Sequence, residues 1–160
     1  MSDQGKEYAS FIAAELKTEH DRRDTANNRA AAALTATTGL ITLVAAVFTV
    51  LRGKDFILTG PAKATLLLAL IAMLITAALS LFAGFAKSYD SATASTLHTM
   101  IDTHWTDSEV SARNATARCN IQTLQTLRAG TNFKYRVLSC AGISQMIAVL
   151  SLIACTGFAV

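Results

Sequence analysis

The chain has 160 residues, of which 52% are hydrophobic and only 16% charged, and its formal net charge is +3. A water-soluble globule that encloses several wholly apolar helices would need more charged residues on its surface than this chain has. We therefore expect lipid to be the solvent of the apolar helices. The positive charge is not gathered into a run of Lys and Arg, and we therefore expect no nucleic-acid partner.

Residues 1–29 are predicted to form an amphipathic helix. Tyr8, Phe11, Ile12 and Leu16 recur at helical spacing, and charged residues fill most of the remaining surface. Neither Pro nor Gly separates this segment from the apolar stretch that follows, so we expect one long helix that enters the membrane. The part of this helix that precedes the membrane is either a solvated juxtamembrane segment or a docking surface for a partner.

Residues 30–51 carry no charge, and their helical length of about 33 Å matches a hydrocarbon core about 30 Å thick. They are the first of three predicted transmembrane helices, and residues 64–86 and 137–160 are the others. Small and hydroxyl-bearing residues near one face of the first span predict a packing seam. A pore lining would use the same residues, but no span contains an ionisable group that would support a selective ion pathway. The seam residues are Thr35, Thr38, Gly39 and Thr42.

Residues 52–63 contain the single Pro of the chain and are predicted to form a short extracytoplasmic loop. In the second span, small residues recur every three or four positions, which predicts a left-handed packing seam. We expect this second seam to face the threonine-bearing face of the first span, and assembly of several copies is the alternative. Its residues are Ala69, Ala72, Thr76, Ser80 and Ala83.

Residues 87–136 are polar and contain no Pro, which predicts a cytoplasmic helical hairpin rather than an enzymatic domain. The second span can continue into its first helix without a break. Thr106 and Glu109 have the spacing of a capping box that starts the second helix, so the turn is expected at residues 105–108. Trp105 lies near the tip and is a possible contact for a partner.

The third span follows Gly130 and Asn132, which together predict a break in the helix before it. This span contains Gln145, the one amide in the apolar regions. Because burying an unpaired amide costs a few kcal/mol, we expect Gln145 to face another helix, and a structural bond is favoured over a gate.

The distribution of Lys and Arg predicts the orientation. Five precede the first span, three lie in the short loop, six lie between the second and third spans, and none follows the third. The positive-inside rule then places the N-terminus and the hairpin in the cytoplasm and the C-terminus outside it.

The sequence contains no recognisable catalytic, cofactor or metal site. His98 and Asp102 have helical spacing and His104 is near, but no further residue completes a metal site. The odd number of cysteines gives neither a disulfide framework nor a CxxC pair. We therefore predict a non-enzyme with no cofactor and no metal, in which the cysteines are packing residues: Cys119, Cys140 and Cys155.

The layout resembles that of small actinobacterial multipass membrane proteins related to the SLATT and Pycsar-effector transmembrane families. The resemblance rests on helix-entry patterns that cover most of the chain, although this chain has a third span where those families have two. It implies a membrane-disrupting effector of a bacterial anti-phage or conflict system, triggered by a nucleotide second messenger or a partner protein. The patterns are Glu15-Leu16, residues 18–24, Asn28-Arg29-Ala30, Thr37-Thr38-Gly39, Asn132-Phe133-Lys134 and Leu138.

Two classes of function follow from this reading. The first is an oligomeric inner-membrane effector that forms a pore or depolarises the membrane. The alternative is a non-lytic interaction module, such as a superinfection-exclusion or scaffold protein. The expected partners are membrane lipid, further copies of the chain, and a cytoplasmic protein or signal that contacts the hairpin.

Overall fold

The computed structural model describes residues 4–52, 59–85 and 89–159, and within these ranges the secondary-structure elements are all α-helices, as predicted. The helices are α1 (Gln4–Arg52), α2 (Gly60–Gly84), α3 (Ala94–Asp102) and α4 (Glu109–Ala159). Three of them, α1, α2 and α4, are long and apolar enough to cross a membrane.

Helix α1 runs without interruption for 49 residues, which confirms the predicted continuity of the amphipathic segment with the first apolar stretch. It contains no Pro, so nothing removes a donor from its hydrogen-bond ladder. Half of the predicted loop at residues 52–63 falls on residues 53–58, which lie outside the described residues, and residues 60–63 are helical. Helix α2 begins at Gly60, before the predicted boundary at residue 64, and Pro61 occupies its first turn, where a missing N–H is tolerated.

The expectation that the second span continues into the hairpin is wrong. Helix α2 ends at Gly84, α3 begins at Ala94, and residues 89–93 are not helical. Thr93 caps α3 by accepting a hydrogen bond from the backbone N–H of Thr96 at 3.3 Å. Short polar side chains such as this one satisfy backbone groups locally and so favour helix termini over helix interiors.

The capping box at Thr106 and Glu109 is also wrong. Helix α4 begins at Glu109, so Thr106 lies within the turn. Ser108 caps the helix instead, because its hydroxyl accepts a hydrogen bond from the backbone N–H of Ser111 at 3.3 Å. The Glu109 carboxylate forms an ion pair with Arg113 one turn later. The turn itself covers residues 103–108, close to its predicted position.

The predicted break at Gly130 and Asn132 does not occur, because α4 continues through both residues for a total of 51. A single Gly inside a helix costs about 1 kcal/mol relative to Ala. Packing outweighs that cost here, since Leu127, Gly130 and Thr131 are all buried.

The chain divides into two compact units. One comprises residues 1–25 and 86–133, and its described core includes Leu127. The other comprises residues 26–85 and 134–160, and its core is apolar. That second core is formed by Ala72, Met73 and Ala148, with Leu40, Ile41, Val44 and Leu152 packed against it.

Candidate functional site

The small-residue seam of α2 lies in the interior of the second unit. All five predicted members, Ala69, Ala72, Thr76, Ser80 and Ala83, are buried. Polar contacts join this seam to α4: the Ser144 hydroxyl donates to the carbonyl of Ala72 at 2.9 Å, and the Thr76 hydroxyl lies 3.4 Å from the carbonyl of Ala141. The seam therefore allows α2 and α4 to approach closely within one chain.

The threonine-bearing face of α1 is exposed, so the expectation that it faces the α2 seam is wrong. The hydroxyls of Thr35, Thr38 and Thr42 each donate to the carbonyl four residues earlier at 3.0 Å. A Cβ atom added to Gly39 would meet nothing within 4 Å. Helix α1 instead turns a different, bulkier face toward the core, which buries more apolar surface: Leu40, Ile41 and Val44.

The amide of Gln145 is half-buried, and it has no hydrogen-bond partner in the part of the chain that the structure describes. The interhelical bond predicted for it is therefore not formed among those residues. The neighbouring Ser144 makes the interhelical bond instead. Near the other end of this helix pair, the Cys155 thiol donates to the carbonyl of Ala62 at 3.3 Å.

A cluster of charged residues joins α1 to α4 in the first unit. The side chain of Glu19 is only 4% exposed, and its Oε2 atom lies 3.4 Å from Arg22 and 3.6 Å from Arg128. Arg128 also pairs with Glu15, and Arg22 donates to the Asn132 amide oxygen at 3.1 Å. The second oxygen of Glu19 is buried without a partner in the described residues.

Sequence reasoning missed this cluster because it treated the charges of α1 as a solvated surface. The spacing of Glu15, Glu19 and Arg22 at four and three residues was a signal that they share one face. Only the fold shows that this face meets Arg128, more than a hundred residues later in the chain.

The hairpin of the first unit contains a cleft of about 740 Å³ between α3 and the beginning of α4. The turn at one end carries Trp105, which is 78% exposed. His104 and Asp107 also line the cleft, and the His104 Nδ1 atom lies 3.1 Å from the Asp107 carboxylate. The other lining residues are mostly small or hydroxyl-bearing: Ser95, Thr96, Thr99, Met100, Ser111, Ala112, Ala115 and Thr116.

A basic and aromatic contact joins α1 to α4 in the second unit. The guanidinium of Arg29 lies over the ring of Tyr135, 5.8 Å from its centroid. Immediately beside this contact, Lys134, whose side chain is buried, donates to the Asn27 amide oxygen at 2.7 Å. Along the sequence, these contacts lie just before the apolar part of α1 and just before that of α4.

Within the described residues, no three His, Cys, Asp or Glu side chains are grouped closely enough to hold a metal ion. Comparisons of the chain with models of protein families, with curated proteins and with solved structures give no match.

Proposed function

We propose that the chain is a multipass protein of the inner membrane, with a cytoplasmic N-terminus and an extracytoplasmic C-terminus. Several copies assemble and permeabilise or depolarise the membrane as the effector of a bacterial anti-phage or conflict system. The observation that carries the proposal is the threonine-bearing face of α1, which is left exposed by the residues that the structure describes.

In hydrocarbon, helices associate through small residues that let their backbones approach and through hydroxyls that bond across the interface. The α2 seam is buried inside the chain, whereas Thr35, Thr38, Gly39 and Thr42 remain exposed. A second copy can pack against this face of α1. Several copies that pack in this way around one axis would enclose a pore, which one chain alone does not form.

Dye entry into cells after induction tests this proposal. The wild type should admit an otherwise impermeant dye, and Gly39→Ile should abolish entry because its bulk blocks the close approach of two α1 helices. Gly142→Ile is the matched control, since a Cβ at Gly142 of α4 also meets nothing within 4 Å. Both variants must be present in the membrane at wild-type level.

Two results would contradict the proposal. Cells that remain sealed while they accumulate the wild type would exclude a permeabilising effector. Equal dye entry with Gly39→Ile and Gly142→Ile would show that the α1 face is not the assembly surface.

The second candidate is a non-lytic interaction module, favoured by the exposure of Trp105 beside the hairpin cleft. A large, rigid aromatic side chain is typical of residues that anchor a protein partner. Under this alternative, induced cells stay sealed and the wild type photo-crosslinks to a cytoplasmic protein. The Trp105→Ala variant should not form that crosslink. Tyr8→Ala, which removes another exposed aromatic side chain, is the control.

A further inference from the structure

We propose that Arg29, Tyr135 and Arg136 form a site for the phosphate of an anionic phospholipid headgroup. The proposal rests on the membrane insertion proposed above, but it does not require that the membrane be permeabilised. All three residues belong to the second unit.

The geometry presents Arg29 to an anion. Its guanidinium lies over the Tyr135 ring at 5.8 Å, and a guanidinium stacked in this way still has N–H groups in its own plane that can bind a phosphate. The hydrogen bond from Lys134 to Asn27 holds α1 against α4 immediately beside this contact. Arg29 is thus positioned before any ligand arrives.

The charge balance of the site favours an anion. Arg29 and Arg136 are both exposed, and neither has an ion pair or hydrogen bond with another described residue. The described residues of the second unit contain no Asp or Glu that could neutralise them. An anionic ligand would therefore not have to displace a carboxylate of the same unit.

The position along the helices indicates that this anion is a lipid. Arg29 is the last charged residue before residues 30–51, and Arg136 is the last before residues 137–159. When both apolar stretches cross the bilayer, their first residues lie at the headgroup level, where Tyr is also enriched. Basic residues at that level on the cytoplasmic side attract anionic lipids, and the arginine fork fits a phosphate with two hydrogen bonds.

Native mass spectrometry of the full chain, purified in detergent, tests the site with phosphatidylglycerol and phosphatidylcholine as probes. The wild type should retain phosphatidylglycerol in preference to phosphatidylcholine. Arg29→Gln and Arg136→Gln should each weaken retention about fivefold, the factor expected from about 1 kcal/mol per basic residue near an anionic surface. Lys63→Gln is the matched control, because Lys63 is an exposed cation at the start of another apolar helix, α2.

Inorganic phosphate in excess should not displace the bound lipid, whose acyl chains add apolar contacts. Displacement by phosphate would overturn the proposal in favour of a site for a soluble anion. Equal retention by the wild type and the double variant Arg29→Gln/Arg136→Gln, with both eluting as folded protein in gel filtration, would also overturn it. Selective lipid retention by a wild type that admits no dye would overturn only the proposed permeabilisation.

Discussion

Glu19 shows how strongly the environment of a single side chain depends on the fold. Burying a carboxylate costs several kcal/mol unless neighbouring groups compensate. Arg22 and Arg128 supply that compensation for one oxygen of Glu19, and the other oxygen remains buried without a partner in the described residues. The sequence predicts that Glu19 is on a charged helix, but it does not reveal the contact with α4 that buries it.

Glu19→Ala is therefore expected to lower the free energy of unfolding by about 1–3 kcal/mol, because the change removes ion pairs with two arginines and leaves a cavity where a nearly fully buried side chain packed. Glu15→Ala should lower it by about 1 kcal/mol or less, since Glu15 and Arg128 form a solvated pair. Thermal and denaturant unfolding of the detergent-solubilised variants provides the measurement. Equal losses for the two variants would show that the burial of Glu19 does not strengthen its contribution.

Helices α1 and α2 differ in how well their packing faces follow from the sequence. The repeat of small residues identified most of the buried face of α2, because small residues recur there with a helical period, and Met73 is buried beside them. In α1, small residues occur on several faces, so their spacing could not indicate which face meets the core. The aliphatic face with Leu40, Ile41 and Val44 makes that contact.

Because the small-residue face of α2 is buried and that of α1 is exposed, a bulky substitution at Ser80 should affect stability more than one at Gly39. Ser80 is 2% exposed, so Ser80→Ile overfills the interior of the second unit and should destabilise the fold by about 1–3 kcal/mol. Gly39→Ile should leave the unfolding transition of the monomer near that of the wild type, since its side chain meets open space.

Ser80→Ala serves as the control for the size of the side chain. The Ser80 hydroxyl is buried without a partner in the described residues, so its removal should be neutral or slightly stabilising. Unfolding of the three variants in the same detergent makes the comparison. A wild-type transition for Ser80→Ile would contradict the close packing of α2 against its neighbours.

The helical class and the positions of the three apolar helices followed from the sequence. Hydrophobicity along the chain is a one-dimensional signal, and a stretch long enough to cross a bilayer needs no knowledge of its neighbours. Helix ends were less predictable. One Gly was too weak to stop α4, whereas local hydroxyl caps at Thr93 and Ser108 set boundaries that periodicity did not reveal.

The proposed orientation predicts how the cysteines react in intact spheroplasts. A membrane-impermeant thiol reagent should spare Cys119, which belongs to the hairpin unit and is expected inside, and label it after lysis. Cys155 should react slowly in both states, because it is buried and donates to the carbonyl of Ala62. Mass spectrometry of labelled peptides measures each site. Rapid labelling of Cys119 in sealed spheroplasts would invert the orientation.

The threonines of α1 also bear on how the protein is made. Thr35, Thr37, Thr38, Thr42 and Thr49 each donate to a carbonyl of their own helix, so none of these hydroxyls depends on a second helix for its hydrogen bond. A helix that satisfies its own polar groups can leave the translocon and enter lipid alone. The first span would then reach the bilayer during synthesis, before the ribosome has completed the helices that later pack against it.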